Sequence, residues 1–187
     1  MENKISIYLA VSLIIVSAII GVGIGYYFNP EYSLAMYDKN SMNLGRADRW
    51  LDLRYIDAMI SHHQGAILLA KQAEKSQRQE VKELALTIQQ DEPKAIAELY
   101  QWKKEWYGDV RQVKNPVVAN LGEYDDKFDL RFLNALISHH DTGILMVKEV
   151  RQKSSRAEIL NNADAVESFL SGGVTMLKDW RNQWYNI

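Results

Sequence analysis

The feature that most constrains this 187-residue chain is that it repeats itself. Set against itself at an offset of 77, residues 43–73, NLGRADRWLDLRYIDAMISHHQGAILLAKQA, fall on residues 120–150, NLGEYDDKFDLRFLNALISHHDTGILMVKEV, with 15 of 31 positions identical. After one added residue the agreement resumes, Trp106-Tyr107 answering Trp184-Tyr185. A unit of roughly 65 residues is therefore present twice, as 43–107 and 120–187, joined by a linker at 108–119 and folding as one domain.

Each unit reads as two helices. Ile56, Met59, Ile60, His63, Ile67 and Ala70 recur at spacings of three and four, as do Leu133, Leu136, Ile137, His140, Ile144 and Val147, and strand alternation is absent. Breaks fall at residues 75–77 and 153–155, each followed by a second amphipathic run through Val81, Leu84, Ala85 and Ile88 or Ile159, Ala163, Val166 and Leu170. The expected fold is all-α, an up-down four-helix bundle built from two repeated hairpins, with the first and third helices parallel. Pro93 in one late helix and Gly172-Gly173 in the other predict a kink or restart. Trp102, Trp106, Trp180 and Trp184 are expected to close the far end of the core.

A hydrophobic segment precedes the repeats. From Ile5 to Phe28 there is no charged residue for 24 positions, about 36 Å of helix, enough to cross a hydrocarbon core. The apolar run continues into Tyr26-Tyr27-Phe28 without a small-residue cleavage site and stops at Asn29-Pro30, the pattern of an uncleaved signal anchor. Residues 1–28 are thus expected to be an N-terminal transmembrane helix and 29–42 a juxtamembrane linker. The soluble domain is expected on the outer side of a cell membrane, single-pass. Gly21 and Gly25 form a short GxxxG pair that offers a homodimer contact.

With a net charge of -2 the chain has no basic field, which argues against nucleic acid as a partner. The absence of cysteine removes disulfides, thiolate metal sites and cysteine nucleophiles. Only four histidines occur, and all lie in two adjacent pairs, His62-His63 and His139-His140. Neighbouring helical residues project about 100° apart, and the apolar stripe selects His63 and His140 as the inward members, with His62 and His139 at the flank. Counting back through the hairpin turns places Gln89 and Glu92 level with His63, and Glu167 near the level of His140.

Inward imidazoles with acids at one height form a polar cluster that apolar packing alone does not require. Metal ligation is one reading: imidazole suits copper, zinc, nickel or iron, and Met59, one turn before the first pair, adds a thioether that suits Cu(I). The other is a satisfied polar layer in which the histidines hydrogen-bond to Glu167 or Gln89 and fix register. No catalytic constellation accompanies the cluster. There is no Glu-x-x-His or His-Glu-x-x-His spacing, no P-loop and no dinucleotide fingerprint, so a metal-dependent oxidoreductase is the least favoured alternative to a non-enzyme.

The segments DLRYIDAMISHHQGAILLA and DLRFLNALISHHDTGILMV resemble the family called domain of unknown function 305, whose pattern is an acid, an aromatic, then Met-Ile-x-His-His-x-Gly-Ala. The resemblance covers residues 43 to 186. It implies a ferritin-like four-helix bundle, commonly exported or anchored, with some members binding copper in the bacterial envelope. Met59, His62 and His63 match the motif, as do His139 and His140. The second copy departs from it, with Leu136 in place of the methionine and Asp141-Thr142-Gly143 in place of x-Gly-Ala.

Overall fold

The computed structural model describes residues 43–187, which form four helices and no strand. They are α1 (Leu51–Ala73), α2 (Gln79–Tyr107), α3 (Phe128–Lys153) and α4 (Ala157–Tyr185). No helix among the described residues is long and apolar enough to cross a membrane. The expected anchor at 5–28, its GxxxG pair and the segment 29–42 lie outside the described residues.

The hairpin breaks fall where the pattern predicts. α1 ends at Ala73 and α2 begins at Gln79, while α3 ends at Lys153 and α4 begins at Ala157. The longer helices close with the same device: Gly108 after Tyr107 and Asn186 after Tyr185 both take left-handed backbone, at φ 62° and 57°. Glycine adopts that region without steric cost, and asparagine is among the few residues that tolerate it. Neither α2 nor α4 restarts at its expected interruption, since the helices run through Pro93 and through Gly172-Gly173. One missing N–H in a helix of 29 residues leaves the bonds on either side intact.

The expectation of parallel first and third helices is corrected. The end of α1 (Ala66, Leu69, Ala70, Ala73) shares a core cluster with the start of α3 (Phe128, Phe132, Leu133, Ala135). The start of α1 (Leu51, Tyr55, Ile56, Met59) shares one with the end of α3 (Met146, Val147, Val150). α1 and α3 therefore cross antiparallel, and the hairpins are related by an approximate two-fold axis. Polar contacts at the two ends repeat the relation. Asp52 accepts from Ser154 Oγ at 2.7 Å and Arg156 Nε at 3.2 Å, and Asp129 pairs with Arg78 Nε at 3.3 Å. Arg156 lies over Trp106 and Arg78 over Trp184. The tryptophans accordingly sit at opposite ends of the core, as two stacked pairs, Trp102 with Trp106 and Trp180 with Trp184.

The linker explains the direction. Residues 108–127 carry no helix or strand and travel the length of α1. Gln64 donates to the Val113 carbonyl, Gln72 to the Ala119 carbonyl, and Lys75 to the Gly122 carbonyl. Twenty residues can span about 65 Å, more than enough to pass the 23-residue α1, so α3 starts at the opposite end from where α2 stopped. Buried Lys103 pins the start of this path, reaching Asp57 at 2.7 Å and the Arg111 carbonyl at 2.9 Å. One long crossover is how ferritin-like bundles are connected.

Candidate metal site

α1 packs on α2 and on α3, and α3 packs on α4, while no comparable packing joins α2 to α4. A helix with two partners buries a wide arc, so both members of an adjacent pair, about 100° apart, can be covered, each by a different neighbour. This is what the histidines do, and it reverses the expected roles. His62 and His139 are the innermost, 2% and 1% exposed, and their rings stack at the α1/α3 crossing with centroids 3.8 Å apart and planes 8° apart. His63 and His140 are not the stacked pair. Each turns toward the second helix of its own hairpin. Sequence could not settle this, because an antiparallel crossing brings equivalent residues together only where the axis passes, and that point falls at His62 and His139.

His63 Nδ1 bonds to a Glu92 carboxylate oxygen, so Glu92 does stand level with His63. With Nδ1 turned to the carboxylate, the ring's other nitrogen, Nε2, is buried without a hydrogen-bond partner. A carboxylate holding the far nitrogen of an imidazole is how metal-binding histidines are usually oriented and made more basic. Among the described residues His140, 7% exposed, has no such acid. Its ring lies 6.5 Å from that of Phe169 and against Gly173, and its Nδ1 is likewise buried without a hydrogen-bond partner. At the offset of 78 that relates α2 to α4, Leu170 stands where Glu92 stands and Phe169 where Asp91 stands.

Burial keeps the core rings neutral. Desolvation pushes His62 well below the ordinary histidine value, with the neighbouring His139, His63 and His140 adding to the shift. Desolvation does the same to His139, followed by His140 and His63, and lowers His140 to about 4. Neutral imidazoles at physiological pH have lone pairs available for a soft or borderline cation without first losing a proton.

A cavity of about 260 Å³ opens between α2 and α4, floored by His62, His63, His139 and His140, with Glu92 on one wall and Phe169 on the other. Its mainly apolar lining, including Ile88 and Leu170, surrounds the imidazoles with low-dielectric surface. Two glycines make the close approach possible. A Cβ on Gly143 would lie 2.6 Å from His62 Nε2 and 2.5 Å from Leu170 Cδ1, and one on Gly173 would lie 2.6 Å from His140 Nε2.

The remaining expected site residues are dispersed. Glu167 turns to Arg151 Nη1 at 2.5 Å and Lys148 Nζ at 3.8 Å instead of to the histidines, and Gln89 donates to the Ala85 carbonyl of its own helix. Met59 is fully buried in the core cluster that also contains Met146. Its counterpart Leu136 belongs to the other cluster. Among the described residues no group of three or more His, Asp or Glu side chains is gathered in ligating geometry. Phe169, Gly143 and Met146 were not singled out as site residues from sequence. Aligning the copies could have flagged Gly143, which replaces Ala66 in the middle of an otherwise well-matched helix.

Comparison with known proteins agrees with the sequence resemblance. The family model described as "Domain of unknown function (DUF305)" matches residues 52–123. Among solved structures, the chain is similar to "CopM in the Cu(I)-bound form", at 28% identity and a TM-score of 0.65, over 73% of this chain and 99% of that one. It is similar to "CopM in the apo form" at 28% identity and a TM-score of 0.63, over 72% and 98%. To "CopM in the Cu(II)-bound form" it is similar at 26% identity and a TM-score of 0.61, over 72% and 97%. No curated protein matches the chain.

Proposed function

We propose, from the premise that residues 52–123 are a DUF305 segment, that this chain is a membrane-anchored, non-enzymatic copper-handling protein of the cell envelope, serving tolerance, storage or delivery. Copper is cargo in this reading. The observation that carries it is the meeting of four histidines, three of them held neutral by burial, at one apolar cavity where His63 Nε2 and His140 Nδ1 are buried without a hydrogen-bond partner. The likeness to CopM, described in Cu(I)- and Cu(II)-bound forms, supports copper as the ion.

Residue roles follow from placement. His63 and His140 offer buried nitrogens, His62 and His139 lie between them, and Glu92 orients His63. Met59 and Met146 sit in the adjacent core cluster, where a thioether suits Cu(I). Glu167 has no part in this set, being committed to Arg151 and Lys148. Residues 5–28 would hold the domain at a lipid bilayer on its outer side.

The test is titration of the untagged full chain in detergent with Cu(I), Cu(II) and Zn(II), beside a variant with all four histidines changed to Gln. Copper bound at least tenfold more tightly by the parent supports the reading. Equal affinities in two folded proteins, checked by helical circular dichroism, reject it. A second reading has its own observation: the parallel stacking of His62 on His139 favours a polar layer in a structural or interaction module. That reading expects the melting temperature to be indifferent to copper and chelator, yet lowered by His62→Ala.

A further inference from the structure

The two late helices expose equivalent positions to solvent and fill them with different chemistry. From Ala165 to Met176 no exposed residue of α4 is charged, whereas the equivalent exposed positions of α2, offset by 78, carry Asp91, Lys94 and Glu98. Phe169, Gly172 and Met176 stand in the places of those three charges. Ala165, Phe169, Gly172 and Met176 recur at spacings of four, three and four, so they line one stripe of the helix. Phe169 is 66% exposed and Met176 36%. The inward line of α4 runs through Ala163, Leu170, Val174 and Leu177, roughly 140° round the helix from this stripe. Gly172 is the second oddity. Glycine weakens a helix interior, and Gly173 has a reason to be there, since a side chain would strike His140, but a Cβ on Gly172 would meet nothing within 4 Å. Among the described residues nothing calls for a glycine at 172. A second backbone that approaches closely does.

We propose that this face of α4 docks a second copy of the chain, the two α4 helices crossing antiparallel about a two-fold axis between Gly172 and Gly173. The occupant follows from the order of the stripe. A face that meets its own copy must be complementary to itself under a two-fold rotation. Turning α4 about the glycine pair sets Phe169 of one protomer opposite Met176 of the other, twice, an aromatic-thioether contact that is favourable for sulfur. Glycine then faces glycine in the middle, where the helices come closest. A charged partner would find no counter-charge on this stretch, and depletion of charge marks the centre of an interface. The face is only about three turns long, so the dimer belongs to the weak class that buries less than about 1,200 Å² and forms in a concentration-dependent way. Phe169 also walls the histidine cavity, so the second copy sits beside its mouth. The dimer goes beyond the copper reading and does not depend on it.

The test follows the full chain in detergent by sedimentation across a concentration series. The informative variant carries the residues of α2: Phe169→Asp, Gly172→Lys and Met176→Glu together, all at exposed positions, so its helical circular dichroism should match the parent. The parent is expected to dimerise and the variant to associate at least tenfold more weakly. The absence of native cysteine supplies a second readout that holds even if the triple variant loses helicity. Under mild oxidation, Gly172→Cys is expected to form a disulfide-linked dimer at least five times faster than Lys94→Cys, its equivalent on α2. A parent that stays monomeric at the highest concentration reached overturns the proposal, as does association that survives in a folded triple variant, or equal oxidation of the two cysteines. A dimer abolished instead by Gly21→Leu with Gly25→Leu also overturns it, by assigning the contact to the hydrophobic segment.

Discussion

The two hairpins share a backbone plan, yet they treat their second histidine differently. In the first, His63 meets a carboxylate, Glu92. In the second, His140 meets an aromatic ring and a bare stretch of helix backbone, because Leu170 and Phe169 occupy the places of Glu92 and Asp91, and Gly173 admits the ring. The duplication thus preserves the crossing pair, His62 and His139, on the two-fold axis, and diverges one residue away from it. A residue on the axis faces its own equivalent, so a change there alters both sides of one contact. A residue off the axis faces only its own hairpin and is free to specialise.

The largest effect expected to test this difference is acid sensitivity. His62, His139 and His140 bind a proton less readily folded than unfolded, so below the ordinary value of 6.5 the unfolded chain takes up protons that the folded one refuses. Stability should be level above pH 7 and fall as pH drops through 6.5 toward 4, by on the order of 3 kcal/mol at pH 4 from His140 alone. Urea unfolding across that range measures it. His140→Gln should make the slope shallower, and an unchanged slope would mean that His140 is not held neutral by burial.

Next in size is the close approach at the glycines. Gly143→Ala and Gly173→Ala each place a methyl about 2.6 Å from a buried imidazole nitrogen and should destabilise by about 1–3 kcal/mol despite the better helix propensity of alanine. Ala66, the counterpart of Gly143, already carries that methyl, so a fall in the melting temperature for Gly143→Ala would mark the two faces as unequally packed. Glu92→Gln removes the charge that orients His63. It should cost about 1–2 kcal/mol in stability and, if copper binds at the histidines, about 10- to 100-fold in copper affinity by competition titration. The smallest change is stabilising. Gly172→Ala meets nothing within 4 Å and should add about 0.5–1 kcal/mol, so Gly172 and Gly173 should respond with opposite sign.

Much of the fold was legible in the residues. The aliphatic spacing through Ile56, Met59 and Ile60 placed α1, the polar breaks placed the turns, and the count through the first turn brought Glu92 level with His63. The same count failed in the second hairpin, where Arg151 and Lys148 hold Glu167 by charge, an attraction that periodicity does not register. The stripe failed at the histidines for a related reason. The covered face of α1 is wider than the most aliphatic line, since Tyr55, Met59, His62, Ala66 and Leu69 are buried along with Ile56, Ile60 and Ala70.

By itself, then, the sequence determined that the two repeats form four helices in two like hairpins and that two His-His pairs lie on their first helices, because periodicity and repetition are local properties of the chain. Which histidine of each pair meets its equivalent was decided only when the long linker delivered α3 antiparallel to α1. The crossing point of two helices belongs to neither alone, and it is this point that stacks His62 on His139 and sends His63 and His140 to different neighbours.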